Sequence, residues 1–168
     1  MVTPKKRPRA KKSHPGRIWT PDQDIVKAVD FDYGQEDNDV IWTPNEKRML
    51  RHLMLQDPLA YARYFFNVRD SMEFVVNPHH VIMADTLQRV VDGEITRLII
   101  NVPPGYTKTE LAVIFFMSRG LAINPGAKFI HTTSSDELAL ENSQKTKDIV
   151  ESPEFQELFK APIRIDSN

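Results

Sequence analysis

Between Arg97 and Met117 the chain changes rhythm in a way that narrows its possible folds. A short apolar run, Leu98-Ile-Ile-Asn-Val102, leads into a Pro-Pro-Gly turn, the pair Lys108-Thr109, and an apolar stretch, Glu110-Leu-Ala-Val-Ile-Phe-Phe-Met117, long enough for a helix. Strand, loop, Lys-Thr, helix is the layout of a phosphate-binding loop. In such a loop the backbone N–H groups and the open helix N-terminus face an anion, the lysine adds a point charge, and the hydroxyl reaches a magnesium ion. The spelling departs from the strict pattern of Gly, four residues, Gly-Lys-Ser/Thr, because Val102 and Thr107 occupy the two glycine positions. A β-branched residue does not take a positive φ cheaply. The loop is therefore expected to follow a different path at Thr107, or to hold phosphate less well. A plain Pro-Pro-Gly turn joining a strand to a helix remains the alternative.

The flanking chain is punctuated by helix starts. Thr43-Pro44-Asn45-Glu46 reads as an N-cap, a proline in the first turn and a capping-box glutamate. It predicts a helix to about Gln56 that buries Met49, Leu50, Leu53 and Met54. Asp57-Pro58 opens a second helix, Leu59 to about Asn67, whose Tyr61, Tyr64, Phe65 and Phe66 read as packing residues. Asn77-Pro78 opens a third, from His79 to about Asp92, with Ile82, Met83, Leu87, Val90 and Val91 at helical spacing and Gly93 just past its end. Leu98–Val102 then reads as a strand buried on both faces. A helix from about Lys108 to Ile123 follows, and Lys128-Phe-Ile-His-Thr-Thr133 is a second strand candidate. Ser134 or Ser135 caps a helix through about Val150, and Ser152-Pro153 caps a short one to Phe159. Strand–helix–strand–helix is the signature of a parallel sheet. The expected fold is thus α/β, a P-loop NTPase-like parallel sheet with flanking helices, incomplete, over residues 94–168. A helical region at 41–93 and a disordered charged arm at 1–40 precede it.

Composition matters mainly for that arm. Lys5, Lys6, Arg7, Arg9, Lys11, Lys12 and Arg17 face no acid before Thr20, whereas Asp22, Asp24, Asp30, Asp32, Glu36, Asp37 and Asp39 face Lys27 alone. With few large apolar side chains, such a segment does not offset the entropy of ordering. Its basic half would contact nucleic-acid phosphate or remain a solvated tail. The absence of cysteine excludes disulfides and Cys-based zinc sites. No apolar run reaches membrane-spanning length, and the basic start lacks the apolar core of a secretory signal.

Several segments together carry a family likeness. Asn77-Pro-His-His80, Gly93-Glu94, Arg97-Leu-Ile-Ile-Asn-Val-Pro-Pro-Gly105, Lys108-Thr-Glu110, Asn124-Pro-Gly-Ala-Lys-Phe-Ile-His-Thr-Thr-Ser-Ser135, Leu138-Ala139, Ile149 and Ser152-Pro-Glu-Phe-Gln-Glu-Leu-Phe159 resemble the large terminase subunits of tailed bacteriophages. In that family a variant loop, Asn-x-Pro-Pro-x-x-x-Lys-Ser/Thr-Glu, follows the first core strand. The likeness runs over roughly 44–168.

The resemblance implies the ATP-driven motor that packages viral DNA into the procapsid, with ATP and Mg²⁺ as cofactors. Lys108 would neutralise β/γ-phosphate charge, Thr109 would ligate Mg²⁺, and Pro104, Gly105, Tyr106 and Thr107 would form the cradle. Asn77, His79 and His80 fall at the family's adenine-side segment, where either histidine would stack on or hydrogen-bond the base. The alternative makes Asn77 a helix cap and the histidines first-turn surface residues. Glu110 would bond near the loop or simply favour the helix dipole. Arg97, Lys145 and Lys147 would reach phosphate, the lysines on a neighbouring subunit, or lie on solvated faces, and His131 reads as a packed strand residue. Implied partners are double-stranded viral DNA, the portal, the small terminase subunit and further copies of the chain, in the host bacterial cytoplasm at the portal and without a membrane.

In the family, the carboxylate pair that completes ATP hydrolysis lies beyond the region matching Ile163–Asn168, and a nuclease domain follows. Asp166 has no apolar strand leading into it. The chain is therefore expected to be the front part of an ATPase, from a truncated or split gene or a fragment, able to hold ATP but not to hydrolyse it alone. Two other classes stay open, a non-catalytic assembly or DNA-contact module and an unrelated small α/β protein.

Overall fold

The computed structural model describes residues 42–160. The arm expected over 1–40, the onset of order at Ile41 and the segment 161–168, with Asp166, lie outside the described residues.

Local capping chemistry sets where most helices begin. Helix α1, Pro44–Gln56, starts on a complete capping box. Thr43 Oγ1 accepts the Glu46 N–H at 3.3 Å, and Glu46 Oε2 accepts the Thr43 N–H at 2.7 Å. Helix α2, Pro58–Asp70, starts where Asp57 Oδ1 accepts the Leu59 N–H at 2.7 Å. Helix α3, Pro78–Val91, ends before Gly93, whose φ of +76° continues the chain out of the helix. The next helical segment begins at Lys108 and runs through a π-helical turn, Glu110–Phe115, into α4, Phe116–Ile123. Ser135 caps α5, Asp136–Glu151, and Ser152 caps α6, Pro153–Phe159.

Helix α2 is the hub, packed on α1, α3, the π-helical turn, α4 and α5. Tyr61 and Phe65 on it are fully buried against Phe115, Phe155 and Phe159. Burying one such ring removes 150–250 Å² or so from water, which is why this aromatic cluster dominates the core. The two outer helices bury less than their patterns predict. On α1, Leu50 and Met54 are buried while Met49 is 73 % exposed and Leu53 also faces solvent. On α3, Met83, Ala84 and Leu87 form the buried stripe, while Ile82 and Val91 lie outside it. Buried Arg119 on α4 donates to the Met54 and Leu55 carbonyls (2.9 and 2.5 Å) and to Gln88 Oε1 (2.7 Å), closing the C-terminus of α1.

The expected α/β sheet is not there. Among the described residues no strand forms, so the P-loop NTPase-like parallel sheet gives way to a helical arrangement. Both strand candidates exist as irregular segments. Leu98, Ile100 and Val102 pack on the core from one side, while Ile99 between them is 93 % exposed. Ile130 is 94 % exposed, and Phe129 lies against Phe116 and over Gly120, where an added Cβ would meet its ring at 2.4 Å. A β-rich run describes side chains suited to a half-buried pleat, and becomes a strand only with a ladder partner. A continuous apolar spelling predicts burial on two faces, and here only one is covered. No described helix is long and apolar enough to cross a membrane.

Candidate functional site

The loop between Val102 and Lys108 is built from two left-handed residues. Pro104 precedes Gly105 at φ +83°, the value that the third position of a type II turn requires. An added Cβ at Gly105 would meet nothing within 4 Å, so conformation and not space calls for glycine. Thr107 also has positive φ, +50°. The expectation of a different path at this residue is therefore corrected. Thr107 takes the left-handed conformation itself, at a cost of about 1–2 kcal/mol.

His80 holds Thr107 in place. Its Nδ1 accepts the Asn77 N–H at 3.0 Å, so in the neutral ring the proton sits on Nε2. Nε2 lies 2.6 Å from Thr107 Oγ1 and donates to it. One such bond contributes about 0.5–1.5 kcal/mol net, comparable with the backbone strain. His80 is 3 % exposed, with the Phe74 ring 5.0 Å away. Burial, with the adjacent His79 adding to it, holds its pKa below the usual imidazole value, against a raising contribution from the Tyr106 backbone. The neutral form that the Asn77 hydrogen bond requires is thus the favoured one.

Beyond Thr107 the helix opens with free donors. Its first intrahelical bond runs from the Leu111 N–H to the Thr107 carbonyl, 3.1 Å, so the N–H groups just before it lack an intrahelical acceptor. Lys108, half-buried in this first turn, has no ion-pair partner among the described residues. A cation there opposes the helix dipole unless an anion joins it. The nearby acid is already engaged. Glu110 accepts from Arg69 at 2.8 Å and lies 3.8 Å from Lys145, while Arg69 also pairs with Asp70 at 2.6 Å and stacks on Phe66 and Phe115.

Two clefts flank the loop. One, of about 510 Å³, is walled by Asn77, His79, His80, Gly105, Tyr106 and Thr107 together with Phe66, Phe74 and Val75. His79 meets the Tyr106 ring edge-on at 5.2 Å, and its buried Nε2 has no hydrogen-bond partner. The other, of about 350 Å³, lies between Thr109, Glu110, His131, Thr132, Thr133 and Lys145.

The structure thus gathers Asn77, His79, His80 and Gly105–Thr107 at one cleft and Thr109 at the other. Pro104 forms the exposed turn. His80 is neither a surface residue nor a free base contact. Lys145 is paired with Glu141 at 2.8 Å and Lys147 with Glu151 at 3.9 Å, so neither extends as a free cation. Arg97 is exposed, and His131 Nε2 accepts from Asn142 at 3.1 Å. Sequence reasoning missed the His80–Thr107 bond and the Arg69–Glu110 pair. Only the anchoring half of the first had a usable signal, since His80 stands three residues after Asn77, where a capping-box side chain reaches back to the Asn77 N–H. Chemically, the arrangement offers a helix N-terminus, one uncompensated cation, a hydroxyl and an aromatic wall, a donor set suited to a phosphorylated ligand. Among the described residues no group of three or more His, Cys, Asp or Glu is placed to hold a metal ion. Compared with protein-family models, with curated proteins and with solved structures, the chain matches none of them.

Proposed function

We propose that this chain binds ATP–Mg²⁺ on the loop Pro104–Thr109 and is the nucleotide-binding front part of a phage terminase large subunit. The observation that carries the reading is the left-handed Thr107 just before Lys108 and Thr109, which lie at an open helix N-terminus with the cation unpaired among the described residues. The donor set fits the cofactor. Lys108 and the free N–H groups would hold phosphate, Thr109 would offer its hydroxyl to Mg²⁺, and His79 with Tyr106 would wall the base side. When bound, ATP would supply the free energy that such a motor converts into DNA movement. Support for the packaging role comes from the resemblance over 44–168, which brings viral DNA, the portal, the small subunit and neighbouring copies as partners. Such an anion site needs a loop and a helix end and does not depend on a sheet among these residues.

Titration with Mg²⁺–ATP, comparing the protein with Lys108→Ala, tests the reading. Binding by the unaltered chain that falls at least tenfold in the variant supports it, and equal affinity sinks it. A non-catalytic docking module is the second reading, favoured by the bare Ile99 and Ile130. It would give no nucleotide binding in the same titration.

A further inference from the structure

We infer that His80 is the positioning residue of the phosphate loop, a side chain that does for Thr107 what a glycine would do by having no Cβ. The inference rests on the nucleotide reading for its effect on affinity, but its structural half stands independently.

Three observations meet here. Thr107 occupies a backbone region that a β-branched residue enters only when its surroundings hold it there. The hydroxyl that makes Thr107 unlike glycine is the atom bonded, at 2.6 Å, to a ring that is itself almost fully buried. That ring is held by its other nitrogen on the Asn77 N–H, so its orientation is set by the start of α3 and not by the loop. The first turn of α3 therefore dictates the backbone at Thr107, and Thr107 dictates where Lys108 and the helix N–H groups point. His80 itself need touch no ligand. It acts through Thr107, and through it the cleft beside His79 and Tyr106 is mechanically joined to the cation at Lys108.

Side-chain geometry allows the two nitrogens to be tested separately. Asn places an acceptor near the position of Nδ1, whereas Gln places a donor near that of Nε2. His80→Asn keeps the start of α3 and drops the bond to Thr107, and His80→Gln does the reverse. Thr107→Gly removes the need for any bond, because glycine enters the left-handed region freely. Thr107→Val retains the branch and removes the hydroxyl.

The experiment is Mg²⁺–ATP titration of these variants, each checked for cooperative thermal unfolding. Amide hydrogen exchange at Tyr106, Thr107 and Lys108 is measured on the nucleotide-free proteins. The expected result is a loss of about tenfold in affinity for His80→Asn and Thr107→Val, the worth of one hydrogen bond. Gln should stay within roughly threefold of the unaltered chain, and His80→Asn should add no loss once Thr107 is Gly. Exchange should rise at the three amides in His80→Asn and return to the Thr107→Gly level in the double variant. An equal loss in both backgrounds, or Gln behaving as badly as Asn, overturns the inference. If the unaltered chain binds no Mg²⁺–ATP, the nucleotide reading falls alone. The exchange data then decide, and amides indifferent to His80→Asn overturn the positioning role.

Discussion

Two helix starts in this chain follow opposite rules. At Pro44 the end is closed locally, since Thr43 and Glu46 satisfy each other's backbone and the proline removes a donor that would otherwise be idle. At Lys108 nothing of the kind happens. The preceding residue sits at φ +50°, the Lys108 charge has the wrong sign for the dipole, and the acid two residues on is committed to Arg69. The first start is optimised for folding. The second keeps its donors and its charge available at a cost in stability, which is the usual signature of a site.

Substitutions separate the two kinds of helix end. The largest effect on folding is expected at a closed end. Arg119→Ala strips buried carbonyls of Met54 and Leu55 of a charged donor and should lower the unfolding free energy by roughly 3 kcal/mol, measured by urea denaturation. At the open end the balance reverses. Lys108→Ala should weaken Mg²⁺–ATP by at least tenfold while raising stability slightly, by about 0.3–1 kcal/mol, because a cation leaves the first turn. A fall in both quantities would break the contrast. Gly105→Ala should cost about 1–2 kcal/mol through its positive φ, with no steric component. Thr43→Ala should cost about 1 kcal/mol and leave nucleotide affinity unchanged.

Acidity provides the gentlest probe. The folded state favours neutral His80, so the unfolded chain takes up its proton first as pH falls. The stabilisation is complete above the ordinary imidazole value of about 6.5. It declines as pH drops through that value towards the lowered folded one. Around the ring the titratable neighbours are His79, on its own helix, and Tyr106, across the loop, while Glu73 on the same cleft wall pairs with Arg63 at 3.9 Å. Comparing denaturation midpoints of the unaltered chain and His80→Gln between pH 8 and pH 5 isolates the histidine. Parallel curves would remove it as the cause.

Helix starts were legible because their chemistry is local. Thr43-Pro44-Glu46, Asp57-Pro58 and Ser152-Pro153 each place cap and donor within three residues, and the structure begins a helix at every one. The strands were not legible, because Leu98–Val102 and Lys128–Thr133 needed partners that no short-range pattern reports. Burial on α1 and α3 was overread for a related reason, since helical spacing at Met49 and Ile82 does not say which side another helix will cover. In the loop, the turn at Gly105 and the helix start at Lys108 could be read from the order of residue types. The support for Thr107 could not, as it comes from 27 residues away. The π-helical turn had no spelling at all.

That turn, Glu110–Phe115, separates the open helix start from the buried face of α4. A π-helical turn holds one residue more than the α-helical path needs. It therefore works as slack between two fixed ends. Loop residues can be set by their contact with His80, and Phe116–Ile123 by what covers it, without either imposing its phase on the other. Deleting a single residue such as Ala112 would take up that slack and leave Arg119 facing the end of α1, whereas the same deletion inside α5 would turn half a helix away from its neighbours.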